Sequence, residues 1–270
     1  MRDHARAVRL ATDLRRELQL TERVIELPRL LSDMEIRLRF EALPGDVEGL
    51  TRDGQIFVDP CQGQRRRRFT IAHELGHHLL GHGLASCSGP AIHGNPSDRR
   101  EQEANTFAAS LLMPARLFRE DVRTAHPCFD EIGHLADAYD VSLTAASIRY
   151  VRFTRDSCAV LGVRPPEPPW LSKNWEQAWF LALPPGEGTL IYAHLEGDSA
   201  SQKAQVAAGA WFENFIWDTP ATIQEEVIRT STCTWLVLLS EIPDYDDDPD
   251  LIEREAAAEL ERRRRSFRRF

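Results

Sequence analysis

Cysteine is scarce and scattered. The 270 residues hold Cys61, Cys87, Cys128, Cys158 and Cys233, an odd number with no Cys-x-x-Cys pair. That argues against a disulfide framework and against a thiolate zinc site, and makes the reducing cytoplasm the expected compartment. Long apolar runs are missing as well. The longest, Thr234 to Leu239, is strand-sized, far short of the roughly 20 residues that span a bilayer. The first twenty residues are charged throughout and contain no signal-peptide core, so no membrane association is expected. Net positive charge is also lacking: 33 Lys and Arg against 42 Asp and Glu leave −9. Such a balance disfavours non-specific nucleic-acid binding by the chain as a whole, although a local basic face remains open.

What is present is a globular composition, 42% apolar and 28% charged, at a length that suits one large domain or two smaller ones. Residues 4–19 and 22–33 read as helices, and Glu35 to Phe40 alternates apolar and charged residues as a strand does. Two short runs around Asp53-Gly54 give a hairpin signal. A long helix is expected from Gln64 to Leu80, ended by Gly81 and Gly83, followed by a loop of small and polar residues that should rim any cleft. Ser97 or Asp98 can cap the next helix, with Asp98-x-x-Glu101 as a capping box. Three further helical segments cover Ala115–Arg123, Glu131–Asp140 and Ser142–Arg152. The prolines of Gly162–Leu171 mark a linker or turn, since proline resists both helix and ladder. Beyond it Gly188–Leu195, Gly209–Phe215 and Cys233–Ile242 look like strands of a smaller unit, and 246–270 reads as a charged terminal helix with no repeat anywhere in the chain.

Four of the nine histidines fall between Thr70 and His82. His73 and His77 are four residues apart, so a helix carries both rings on one face, about 5–6 Å apart at Cβ. Two imidazoles so placed can share one tetrahedral metal. Glu74 follows the first and can flank the ion rather than bind it, where it can take a proton from water. Decorative surface histidines are the ordinary alternative, but Ile71, Ala72, Leu75 and Leu79 make this a buried helix, and buried histidines need partners. His78 and His82 read as solvent-facing or as satisfied core groups. A catalytic zinc also needs a third protein ligand and an open position. The downstream helix offers Glu101 and Glu103; Glu101 lies nearer the centre of the apolar stripe and is favoured, with Asn105 one turn on as a group that orients a ligand histidine.

The two stretches "RRRRFTIAHELGHHLLGH" and "EQEANTFAASLLMP" resemble the ImmA/IrrE family of metallopeptidases, over about residues 30–155. The resemblance implies a zincin-like α+β domain in which a strand pair leads into the His-Glu-x-x-His helix. By position it implies His73, His77 and Glu101 as ligands of one zinc and Glu74 as general base. It also implies a protein substrate, a helix-turn-helix repressor whose cleavage switches on stress or mobile-element genes. Many relatives carry an N-terminal helix-turn-helix that the first 60 residues here do not show.

Residues 130–153 do resemble a helix-turn-helix, with Leu135, Ala136, Val141, Ala145 and Ile148 as packing positions and Arg149, Arg152 and Arg155 as candidate phosphate contacts. Asp130, Glu131, Asp137 and Asp140 in the same unit favour packing or substrate docking over direct nucleic-acid binding. The expected organisation is a zinc metallopeptidase domain over 1–155 including that unit, a small C-terminal α/β domain over 156–245, and the charged helix over 246–270. The rival class is a regulatory binding module that keeps the zinc fold only as a scaffold.

Overall fold

The computed structural model describes residues 2–83, 85–88, 98–174, 185–197, 201–211, 222–230 and 234–241. Within them the chain is α+β. It opens with α1 (Arg2–Glu17) and α2 (Leu27–Asp33), then β1 (Arg37–Phe40), β2 (Val47–Arg52) and β3 (Gln55–Val58). The long α3 (Gln64–Leu80) follows, then β4 (Ala85–Ser88) and four helices: α4 (Arg99–Leu112), α5 (Ala115–Val122), α6 (Phe129–Tyr139) and α7 (Leu143–Phe153). The last part holds β5 (Cys158–Arg164), β6 (Glu167–Lys173), α8 (Leu190–Glu196), β7 (Lys203–Ala207), β8 (Thr222–Arg229) and β9 (Trp235–Glu241).

The strands form two sheets, ordered β1-β3-β2-β4 and β6-β5-β9-β8-β7. In the first, β2 and β3 form the expected hairpin, with Asp53 and Gly54 at φ 51° and 71° supplying the left-handed turn. β4 adds to the far edge of β2, antiparallel, with Gly49 opposite Cys87. The second sheet is antiparallel throughout. Alternation along its central strands divides two cores. Cys158, Val160, Leu236 and Leu238 join the main core with α1 to α7, whereas Ala159, Leu161, Val237 and Leu239 pack with Ile191 of α8 and Trp211. Both faces are covered, which is why β5 and β9 read as unbroken apolar runs rather than alternating ones.

Several expectations need correction. The second helix begins at Leu27 rather than residue 22, because Pro28 favours the first turn and not the interior. Gly188–Leu195 is no strand: Thr189 caps α8 by accepting from the Tyr192 N–H, and the segment coils. Of the two readings of the proline-rich stretch, linker or turn, the structure has the turn, between β5 and β6. That turn holds Pro165 and a cis Pro166; β6 lies at the sheet edge, and its register with β5 shifts between Gly162 and Arg164, opposite Pro168 and Pro169, an edge and bulge position of the kind that tolerates proline. Part of the expected loop after α3 is the strand β4. Residues 246–270 and most of 209–215 lie outside the described residues. Among the described residues no helix is long and apolar enough to cross a membrane.

α6 and α7 pack together across a turn with Asp140 at φ 48°. Arg149, however, points inward. It is 6% exposed, donates to the Met113 carbonyl at 2.6 Å and stacks 4.6 Å from the centre of the Phe153 ring. Arg149 is thereby removed from the candidate phosphate contacts.

Candidate metal centre

α3 is wedged between β2 and β3 on one side and α4 on the other, and from Thr70 to His77 every residue is buried. At Gly76 the two helices come close: a Cβ there would lie 3.1 Å from Phe107 and 3.2 Å from the Ala104 backbone. Any larger residue would push α4 away. That approach brings Glu101 of α4 onto the His73–His77 face of α3.

The ring nitrogens converge. His73 Nε2 lies 3.0 Å from His77 Nε2, 3.2 Å from Glu101 Oε2, and His77 Nε2 lies 3.3 Å from Glu101 Oε1. Burial lowers the pKa of His73 and favours its neutral form, the form that ligates metals. Burial alone would raise Glu101, but the two imidazoles beside it outweigh burial and hold the carboxyl well below the usual range. Glu101 does not reach back to complete a capping box. Asp98 caps α4 by itself, accepting from the Arg100 N–H at 2.8 Å. Burial is also the wrong criterion for choosing between the two glutamates, because Glu103 is buried and Glu101 is not fully so. Direction decides: Glu103 turns to His82 and Arg99.

Glu74 is fully buried beside this group. Thr51 of β2 donates to its Oε2 at 2.6 Å, while Oε1 has no hydrogen-bond partner. Burial pushes its pKa up to about 7, against the lowering effect of the Thr51 hydroxyl. The room for this carboxyl comes from Gly49, where a Cβ would stand 2.4 Å from Glu74 Oε1 and 2.9 Å from its Cγ.

Outside the cluster each imidazole is held by its other nitrogen. His73 Nδ1 donates to Asn105 Oδ1 at 2.8 Å, which leaves its Nε2 lone pair facing the cluster. Asn105 thus stands where the sequence suggests it should. His77 Nδ1 lies 2.9 Å from His82 Nδ1, and His82 Nε2 lies 3.3 Å from Glu103 Oε2. His82 and Glu103 therefore form a chain that orients His77. Sequence reasoning gave His82 no such part, because its partner depends on the α3–α4 contact. His78 instead borders a cleft of about 370 Å³ shared with Thr51, Arg52, Asp53 and His77.

A fourth group enters from β4. Cys87, buried, has its Sγ 3.4 Å from His77 Nε2 and 3.7 Å from Glu101 Oε1. Burial, then Glu74 and Glu101, push its thiol up, so with these residues alone it stays protonated. The absence of a Cys-x-x-Cys pair does not keep thiols away from the site, because a ligand can come from a strand ten residues after His77. Sequence spacing gives Thr51, Gly49 and Cys87 no place at this site, since sheet pairing and not local spacing brings them here.

The donor set fits a metal ion. The ligating atoms of His73, His77, Cys87 and Glu101 lie within 4.8 Å of one another. A tetrahedral ion with bonds of about 2.0–2.3 Å requires ligand atoms about 3.3–3.6 Å apart, and the separations given above run from 3.0 to 3.7 Å. Glu101 Oε2 is buried without a hydrogen-bond partner despite the nearby imidazoles, as expected of an atom whose partner is a cation.

Comparison with solved structures finds a similar fold in a Mycobacterium tuberculosis transcriptional regulator. That match has 13% sequence identity, covers 88% of this chain and 75% of the other, and has a TM-score of 0.53. No curated protein matches the sequence. A family model, Peptidase M78, described as the IrrE N-terminal-like domain, matches residues 31–150. Those residues carry both helices of the metal cluster and the strand whose Thr51 binds Glu74, and over them the chain carries a domain of the ImmA/IrrE family.

Proposed function

We propose that this chain is a zinc-dependent endopeptidase of zincin-like architecture, holding one zinc through His73, His77 and Glu101. Its protein substrate is a helix-turn-helix repressor, cleaved inside the cell to release stress or mobile-element genes. The observation that carries the reading is the position of Glu74, buried next to the ligand cluster yet not part of it, with one oxygen pinned by Thr51 and the other unpartnered. A metal scaffold has no use for a buried carboxylate there; a hydrolase needs a base.

Bound zinc would supply Lewis acidity, polarising the scissile carbonyl and making water a nucleophile near neutral pH. The chain's own groups do the rest. Glu74 Oε1 accepts the proton of the attacking water and returns it to the departing amide nitrogen, a task suited to a carboxyl held near 7. Thr51 keeps Oε2 fixed and leaves Oε1 free to accept. Asn105 and the His82–Glu103 chain keep each imidazole in the tautomer that offers Nε2. The α6–α7 unit is assigned to packing and substrate docking, in keeping with its inward Arg149 and its acids.

The test uses Glu74→Gln as a trap. It should retain about one zinc per chain by elemental analysis and capture an intact repressor that wild type cuts. A Glu74→Gln protein that triggers the cellular response as well as wild type would refute the peptidase reading in favour of the scaffold.

A further inference from the structure

We propose that Cys87 is a fourth metal ligand that closes the site and holds the peptidase latent until β4 moves away. This rests on the metallopeptidase reading above and extends it to the control of the same site.

The argument starts from place. A hydrolytic zinc keeps its fourth position open for water, whereas a site with four protein ligands is closed. Here the thiol sulfur takes the fourth corner: it lies 3.4 Å from His77 Nε2 and 3.7 Å from Glu101 Oε1. These two separations suit a tetrahedral ion with a Zn–S bond of about 2.3 Å, and all four donor atoms lie within 4.8 Å of one another. The sulfur also neighbours Glu74, the group that has to meet the attacking water. Cys87 thus stands between base and cluster, where the nucleophile belongs.

A buried cysteine is more often a small apolar filler, and Phe69 packs against this one. Two observations go beyond that. Cys87 belongs to the set of four convergent donor atoms. Next to it Glu74, fully buried, keeps Oε1 without a hydrogen-bond partner. A divalent cation supplies the positive charge these groups lack and takes the proton from a coordinating thiol outright.

The fold gives the sulfur a way out. Among the described residues β4 is the edge strand of its sheet and pairs only with β2. Moving β4 withdraws Cys87 while leaving His73, His77 and Glu101, which are fixed by the α3–α4 contact, where they are. A ligand on the edge strand is the one that can leave.

The experiment loads the full chain with cobalt(II) in place of zinc. Wild type should show the near-ultraviolet sulfur-to-cobalt charge-transfer band, and its visible spectrum should not respond to azide, a small anion that needs an open position. Cys87→Ala should bind cobalt at least tenfold more weakly, lack the band and respond to azide. Iodoacetamide labelling of wild type, read by mass spectrometry at Cys87, should be at least tenfold slower with cobalt than without; this readout needs no variant to fold. Bound cobalt without the band, or equal labelling with and without metal, overturns the Cys87 assignment and leaves the peptidase reading intact. A band together with an azide response in wild type overturns the latency. Failure of wild type to bind cobalt at all overturns the metallopeptidase reading and this inference with it.

Discussion

Gly49→Ala tests whether the Glu74 carboxyl is held by shape. The added Cβ would stand 2.4 Å from Glu74 Oε1, 2.9 Å from Glu74 Cγ and 2.8 Å from Thr70 Cγ2. Glu74 cannot step aside freely, because it is fully buried and Thr51 grips its Oε2 at 2.6 Å. Overpacking of this kind costs about 1–3 kcal/mol. Displacing Glu74 also sacrifices the Thr51 hydrogen bond, about 0.5–1.5 kcal/mol for a carboxyl that the metal-free fold favours in its protonated form. The total expected for Gly49→Ala is about 1.5–4.5 kcal/mol. In a Glu74→Ala background two of the three collisions vanish and only Thr70 remains, so the same change should cost about 1 kcal/mol. The double-mutant cycle should therefore show a coupling of about 1–3 kcal/mol. Urea denaturation of the four metal-free proteins, with a chelator present, measures it. Costs that add to within about 0.5 kcal/mol would refute the close approach of β2 to Glu74.

Other outcomes follow from the same geometry. In metal-free protein Glu74 stands near 7 rather than at its ordinary 4.5; the protonated form is the one the fold favours. Its contribution to stability is complete below about 4.5 and is lost as pH rises to about 7, so Glu74→Gln should gain on wild type by up to about 3 kcal/mol between pH 5 and 8. Chemical denaturation at both pH values measures this, and a constant difference would contradict it. Asn105→Ala and His82→Ala, which free the outer nitrogens of His73 and His77, should each weaken zinc binding about 10–100-fold in chelator competition; unchanged affinity in both would show that these groups do not orient the ligands. In the second sheet, Glu225 accepts from the Leu190 and Ile191 N–H groups at 2.9 and 2.8 Å and from Trp211 Nε1 at 2.9 Å. Glu225→Ala should cost about 3 kcal/mol or more and Glu225→Gln about 1–3, because alanine orphans all three donors whereas the single amide oxygen of glutamine can still serve the two on Oε2 and orphans only the Ile191 N–H; equal melting of the two variants would refute that role.

The local half of this protein was legible and the paired half was not. α3 spans the expected Gln64–Leu80, because a long apolar period with glycine beyond its end is a local signal. The helical spacing of His73 and His77 and the side position of Glu74 follow from the same period. Glu101 was favoured for a reason that failed, since Glu103 is the more buried of the two. Side-chain direction across a helix pair is set by where α4 crosses α3, which a single helix does not encode. Thr51, Gly49 and Cys87 come from strands whose register is a pairing property, and His82 acquires its meaning only from His77 and Glu103. Gly188–Leu195 was misread because a short apolar run suits strand and helix alike, and the Thr189 cap decides. β6 was missed because proline was weighed without knowing that the strand would sit at an edge.

The central claim is that this chain cuts protein through a base at Glu74. The most direct measurement compares new protein N-termini in cells of the natural host that lack the chain and are supplied with wild type or Glu74→Gln, at matched expression and zinc content. The account predicts at least one cleaved protein, a helix-turn-helix repressor, whose new terminus appears with wild type and is reduced at least about 100-fold with Glu74→Gln. The same new termini at the same levels with both proteins would contradict it.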